Sequence, residues 1–290
     1  MIEFLAQAST QNDVSGSVVD AALICLFPAS VIAWILVLRG RLARGTWRPL
    51  LPANEGEPPF WGMECVFILI GGVIVLSSFA QAVIGYDNPS RDPLLGMAMS
   101  TFSMTGACLL VLGFIWASNP KRIGEVGLRP SWDGIRLGML AALLIIPPLM
   151  LLMAAVSRLI PYEHPVLNLM TAQPTIQRFA VLFVSTAVIT PIVEEFSIRV
   201  VLQGSLQGFI DRARDDGRRS NWPIVITSFL FAILHFGHGG APIPLFVLSL
   251  ALGYLYRQTG NITPSIVVHM ALNSLTMIAT FLSTNSGASS

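Results

Sequence analysis

The fold class this sequence predicts is all-α: a polytopic membrane helix bundle of about eight transmembrane helices. Three observations predict it. Only 11% of the 290 residues are charged, where a soluble chain carries about 25%. Hydrophobic residues make up 53%, and the mean hydropathy is +0.69. The apolar residues also gather into runs about long enough to cross a ~30 Å hydrocarbon layer. So few charges cannot cover a water-facing surface, which excludes a soluble globular enzyme. The net charge is only +1, and the seventeen Lys and Arg are scattered through short connections, which argues against a nucleic-acid partner.

Eight runs can be marked in order: Val18 to Leu38, Trp61 to Gly85, Leu94 to Ser118, Leu137 to Val156, Phe179 to about Gln203, Trp222 to Phe236, Ile243 to Tyr256, and Ile262 to Leu282. The sixth and seventh are short. The first is read as a retained span: the residues before it lack the basic region of a secretory signal peptide, and it runs into an Arg-rich segment without a small-residue cleavage site. Cytoplasmic connections are enriched in Lys and Arg, which tests the arrangement. The connections after the first, third, fifth and seventh spans hold thirteen basic residues, among them Arg41, Arg122, Arg212, Arg219 and Arg257. The opposite side holds three, Arg91, Arg158 and Arg178, and Arg199 is left inside a span. Both termini are therefore expected outside the cytoplasm.

Residues 1–118 read as an N-terminal region of three spans, 119–282 as a membrane core, and 283–290 as a polar tail. The connection from Arg39 to Phe60 is expected to separate the first span from the rest. Cys25, Cys65 and Cys108 are odd in number and each sits in an apolar run, so they read as small hydrophobes and not as disulfides. Pro147 and Pro148 fall in the middle of the fourth span, and Pro191 falls three residues before a pair of glutamates. Each proline removes a helix hydrogen bond and leaves backbone groups that must find partners nearby.

Ionisable side chains inside a span cost roughly 2.5 to 3.5 kcal/mol each at the helix centre, yet the last third of this chain concentrates them. The fifth span carries Glu194, Glu195 and Arg199, the sixth ends on His235, and the eighth holds His269 and Asn273. Residues four apart share a helix face. Glu195 and Arg199 are so placed and should form an intrahelical ion pair, with Gln203 extending the stripe. Glu194 points elsewhere and must be satisfied from another helix, by water or by protonation. His269 and Asn273 share a face, as do Phe231 and His235, whose rings should pack. A carboxylate and a histidine close together can deprotonate water, and nearby His and Asn donors can hold the oxyanion formed when that water attacks a carbonyl. The alternative is that these side chains are polar glue between helices. His238 and His164 read as ordinary loop residues, and the Met residues as filler.

The motifs Glu194-Glu195-x-x-x-Arg199, Phe231-x-x-x-His235 and His269-x-x-x-Asn273, in this order, resemble the CPBP family of intramembrane proteases. That family includes the type II CAAX prenyl endopeptidases and bacteriocin-processing or immunity proteins. The likeness covers roughly Thr175 to Leu282. It implies that Glu194 and His235 activate the hydrolytic water, that His269 and Asn273 stabilise the oxyanion, and that Glu195 and Arg199 support them. Ile198 and Val200 depart from the aromatic residue and glycine that commonly flank the arginine. The cofactor expected is none or a single zinc ion, for which Glu194, His235 and His269 would be the ligands. The metal-free mechanism is preferred, because the usual His-Glu-x-x-His pairing is absent.

The expectation is thus an intramembrane endopeptidase, CAAX-protease-like, cutting a membrane-anchored or prenylated substrate. Its partners would be the lipid bilayer and that substrate, with a bacterial plasma membrane as its location. The rivals are a non-catalytic membrane immunity or scaffold protein and a proton-coupled transporter.

Overall fold

The structure, a computed structural model, describes residues 14–44, 50–52, 57–84, 92–162, 165–213 and 219–288. His164, Arg48, Arg91, Arg214 and Arg218 lie outside the described residues. All eight apolar runs are helical. They form α1 (Val14–Arg44), α2 (Glu64–Ile84), α3 (Pro93–Ser118), α4 (Trp132–Ser157), α6 (Ile176–Arg212), α7 (Trp222–Leu234), α8 (Pro242–Thr259) and α9 (Thr263–Ala288). A short helix α5 (Pro165–Ala172) and a 3₁₀ turn (Pro120–Val126) fill two connections. Both are too short for a periodic pattern to announce them.

The expected count of eight spans is not reached. Among the described residues, six helices are long and apolar enough to cross a membrane: α1, α2, α3, α4, α6 and α9. The reason is length in α7, whose 13 residues reach only about 20 Å at 1.5 Å per residue, short of a ~30 Å layer. The 18 residues of α8 end in Tyr254, Arg257 and Gln258, which dilute its apolar character. These two helices pack side by side as a hairpin. In the other direction α6 runs past Gln203 to Arg212, 37 residues in all. That length, about 55 Å, carries its last turns beyond the hydrocarbon.

Large apolar side chains stand on the outside, Phe67 at 71%, Leu42 at 72% and Phe236 at 85% exposure. Such a surface is stable only against lipid, and with six apolar helices the chain is a multi-pass membrane protein. Inside, one cluster joins Cys65 of α2, Val111 and Ile115 of α3, Val193, Phe196 and Val200 of α6, and Tyr256 of α8. A second joins Ala141, Ala142 and Ile146 of α4 to Leu248 and Leu252 of α8 and Val268 and Leu272 of α9. A third ties Met170 of α5 to Leu182 of α6 and Met277 of α9. Helix α6 therefore touches both halves of the bundle. Among the cysteines, which are all free, Cys65 and Cys108 are buried as expected, and the Cys108 thiol also lies 3.2 Å from Ser197 Oγ.

Helix α4 runs unbroken through Pro147 and Pro148. Pro148 has no N–H to offer the carbonyl of Leu144, four residues back, and α1 supplies the missing donor: Trp34 Nε1 donates to Leu144 O at 2.9 Å. The proline thus creates the acceptor that docks the first helix.

The Arg-bearing connections, far apart in sequence, converge at one end. Glu57 and Pro59 before α2, Glu125 after α3, Arg219 after α6 and Arg257 at the end of α8 line a common cavity of about 390 Å³. At the opposite end, Gly240 N–H donates to Pro161 O at 3.3 Å, and Tyr162 bridges to Gly239, so the connection after α4 meets the turn of the α7–α8 hairpin. The charge asymmetry read from the sequence is therefore a spatial one.

Two outcomes are expected. Trp34→Phe keeps the ring but loses the bond to Leu144, and should lower stability by about 0.5–2 kcal/mol, the range for interhelical hydrogen bonds in lipid, read by thermal melting in detergent. Gly127→Ala should be far more damaging. Gly127 has φ +75°, accepts the Ile262 N–H at 3.0 Å, and presses so closely on Gly260 that a Cβ would meet its carbonyl. Loss of folded yield for Gly127→Ala, beside a normal yield for Gly71→Ala, where a Cβ meets nothing within 4 Å, is the measurement.

Candidate active site

The site is built on the middle of α6, which is not a regular α-helix. Two π stretches, Val184–Ile189 and Phe196–Gln203, flank a short α segment, Thr190–Glu195. In a π turn each N–H reaches back five residues, and Thr190 N–H indeed bonds Ser185 O. The next residue in that register is Pro191, which cannot donate to Thr186 O. Asn273 Nδ2 of α9 does so instead, at 3.0 Å. Pro191 and Asn273 are thus two halves of one device: the proline frees a carbonyl and the amide occupies it.

The same alternation of π and α turns aligns the polar side chains. A four-residue step overshoots a full α turn by ~40° and falls short of the wider π turn, so mixing the two keeps four-spaced residues in line. Arg199 Nε donates to Glu195 Oε2 at 3.0 Å with both side chains fully buried, the pairing their spacing predicts. Arg199 Nη2 donates to Ser249 Oγ of α8 at 2.8 Å, and Gln203 Nε2 donates to Gly253 O at 3.0 Å. The series continues to Gln207, whose Nε2 donates to Asp211 Oδ2 at 2.6 Å.

His269 of α9 stands between the two glutamates. Its Nδ1 lies 3.1 Å from Glu195 Oε1, and its Nε2 lies 3.7 Å from Glu194 Oε2. A carboxylate paired to arginine only accepts, so Nδ1 carries the proton and Nε2 faces Glu194. Glu195 is wholly enclosed, whereas the Glu194 side chain keeps 27% exposure. The adjacent glutamates therefore differ in kind, one an anchor and the other open on one side.

His235 is the residue that ends α7. Its Nδ1 donates to Phe231 O at 2.8 Å, which leaves Nε2 with the free lone pair. Phe231 packs on it with ring centroids 4.7 Å apart, and the same phenyl ring meets His269 edge-on at 6.2 Å. Because α7 is short, His235 does not sit at a far membrane face, and the difference in depth between it and His269 that eight full spans would impose does not arise. His238 neighbours His235 at 5.8 Å between ring centroids. In that turn, burial foremost, and then repulsion from His235 when that ring is protonated, push the His238 imidazole below its ordinary pKa.

The structure accordingly brings together Glu194, Glu195, Arg199 and His269, with His235 joined to them through Phe231. Asn273 lies on the same face of α9 as His269 but is bonded to the α6 backbone. Ser249, Thr186 and Gln207 are members that sequence reasoning missed. A serine in an apolar run and a backbone carbonyl carry no sequence signal; Gln207 continues the four-residue series and was findable. Among the described residues, no three His, Cys, Asp or Glu side chains converge to hold a metal ion. Glu194, His235 and His269, the ligands expected for a zinc ion, are not such a group among the described residues.

Residues 176–275 match a family model, Rce1-like: type II CAAX prenyl endopeptidase Rce1-like. The match spans about a third of the chain and includes every motif residue above. The CPBP resemblance is borne out for this segment. No curated protein and no solved structure matches the chain. The matched segment, similar to the type II CAAX prenyl endopeptidases, is built on α6, α7, α8 and the first half of α9.

Asn273→Leu should destabilise the protein by about 1–2 kcal/mol, because Thr186 O is left without a donor. Pro191→Ala restores an N–H five residues after Thr186. The double variant is expected to recover part of the loss, which chemical or thermal unfolding in a double-mutant cycle would measure. Arg199→Met leaves Glu195 as an uncompensated buried charge and should cost about 3–5 kcal/mol. Arg199→Lys should rescue little, since a point charge cannot replace the fork that reaches both Glu195 and Ser249.

Proposed function

We propose that this protein is an intramembrane endopeptidase that hydrolyses a peptide bond of a membrane-anchored substrate with water activated by Glu194 and His235. The observation that carries the reading is the contrast within the glutamate pair. Glu195 is locked by Arg199 and His269, while Glu194 keeps an open side against an imidazole. A rigid anchor beside an exposed carboxylate is what general-base catalysis needs. On this reading Glu194 takes a proton from water as its oxygen bonds to the scissile carbonyl carbon, with His235 Nε2 orienting the same water. The oxyanion is met by His269, which donates from Nε2 when it is protonated there as well as on Nδ1, and by the second amide hydrogen of Asn273. The proton held by Glu194 then passes to the departing amine as the C–N bond breaks, leaving a carboxylate and an amine.

The substrate class is a lipidated or transmembrane peptide, prenylated substrates being the finer possibility that the family resemblance raises. The protein would act without a metal, in a bacterial plasma membrane. Residues 119–282 would be the protease core and residues 1–118 an accessory region. A second reading, that the cluster is a structural fastening in a non-catalytic scaffold, is favoured by one observation only: the Asn273 amide is bonded to Thr186.

Purified protein in detergent, given a panel of prenylated and transmembrane reporter peptides, is expected to cleave at least one of them. Glu194→Gln and His235→Ala should each lower kcat/KM by about 10²–10⁴-fold with unchanged melting. Activity should survive a strong chelator. Undiminished cleavage by well-folded Glu194→Gln would sink the mechanism, and loss of activity on chelation alone would return the metal to it.

A further inference from the structure

The polar stripe of α6 does not stop at the buried ion pair. Below Arg199 it continues through Gln203 to Gln207, toward the end where the Arg-bearing connections gather. Three atoms along it have no hydrogen-bond partner among the described residues although they are buried: Arg199 Nη1, Gln203 Oε1 and Gln207 Oε1. Their residues are 0%, 1% and 3% exposed. Leaving such groups unpaired in a low-dielectric interior costs about 1–3 kcal/mol each, more for a charged one, so three in a row on one stripe call for a ligand.

Two geometric facts identify the ligand. First, Gly253 of α8, having no Cβ, lets Gln203 Oε1 and Arg199 Nη1 come together against its backbone: a Cβ there would lie only 2.8 Å from the first and 3.3 Å from the second. The two atoms are thus within reach of one bridging water. Second, Gln203 and Gln207 both line the cavity of about 390 Å³ at the Arg-rich end, with Glu57, Glu125, Arg219 and Arg257 around its polar walls. Two unpaired acceptors on residues that line a cavity open to solvent, and one unpaired donor next to them, match the requirement for buried water, which takes about three hydrogen bonds. An anion would face the two glutamine oxygens, and a cation would face the guanidinium. Water satisfies both.

We propose that Gln207, Gln203 and Arg199, over Gly253, form a hydrated inlet leading from the Arg-rich end of the bundle to the Glu195–His269 cluster. It deepens the protease reading, since a hydrolase buried in hydrocarbon consumes water that the lipid cannot deliver, and it rests on that reading only for its purpose. The glutamines are positioning residues for water and not catalytic ones.

The test reads access and not cleavage. With Cys25, Cys65 and Cys108 replaced by alanine, Gln203→Cys and Gln207→Cys are each exposed to a small charged thiosulfonate reagent in vesicles of either orientation, beside Leu248→Cys as a dry control. Both glutamine positions should label from the Arg-rich face about tenfold or more faster than the control, because a hydrated thiol ionises and an apolar-buried one does not. Labelling no faster than Leu248→Cys, or only from the opposite face, overturns the inlet whatever the protein cleaves. Fast labelling in a protein that cuts no reporter leaves the inlet standing and the protease reading in trouble. A high-resolution structure of the unaltered protein gives a second check that needs no variant to fold. Ordered water between Arg199 Nη1 and Gln203 Oε1 is expected, and a dry direct contact there would overturn the proposal.

Discussion

In hydrocarbon every backbone N–H, carbonyl and charge must be satisfied from within the protein, and this one constraint organises the molecule. It acts most visibly at the prolines. Pro148 strips Leu144 O of its donor, and Trp34 of α1 supplies one; Pro191 does the same to Thr186 O, and Asn273 of α9 answers. In both places a break in one helix becomes the attachment point of another. Specific side-chain donors thereby help to set which helices are neighbours, something that non-directional contact among leucines and valines would leave open.

The charged cluster obeys the same rule with larger magnitudes. Arg199 and Glu195 are each fully enclosed, which is tolerable only because α6 holds them in register and Ser249 and His269 take further bonds from them, leaving Arg199 Nη1 without a partner among the described residues. The arginine serves the carboxylate, the carboxylate serves the imidazole, and the imidazole faces Glu194. Each link depends on the one before it, so Arg199 acts on Glu194 without touching it. The second π stretch, Phe196–Gln203, has a clear use here, since, with the α turn after it, it keeps Glu195, Arg199, Gln203 and Gln207 close to one line where a regular α-helix would rotate them apart.

The short hairpin of α7 and α8 resolves a difficulty that equal spans would create. A full-length sixth span would carry His235 to the far face from His269. Thirteen residues do not reach that far, and Phe231 contacts both histidines. The glycine, serine and tyrosine residues of α8 that lower its apolar character are also the ones that meet α6: Ser249 binds Arg199, Gly253 makes room for Gln203, and Tyr256 lines the cavity above them. What looks like a poor membrane span is a good partner for a polar helix.

Much was legible in the sequence because it rests on composition and local spacing. Sparse charge and long apolar runs determined a helical membrane bundle, the distribution of arginine determined which connections share an end, and the four-residue interval between Glu195 and Arg199 determined their pairing. The motif order was sufficient to set roughly Thr175 to Leu282 beside a protease family, and the family model matches residues 176–275. Tertiary structure decided the rest, because it depends on distances between helices that no local pattern encodes. The number of full spans, the bond between Asn273 and a backbone carbonyl, the contact of one phenyl ring with both His235 and His269, and the meeting of Ser249 with Arg199 all follow from how the helices pack. So does the asymmetry of Glu194 and Glu195. Identical neighbours in sequence, they are separated in role by a turn of about 100° on the helix, which directs one into the arginine and leaves the other open.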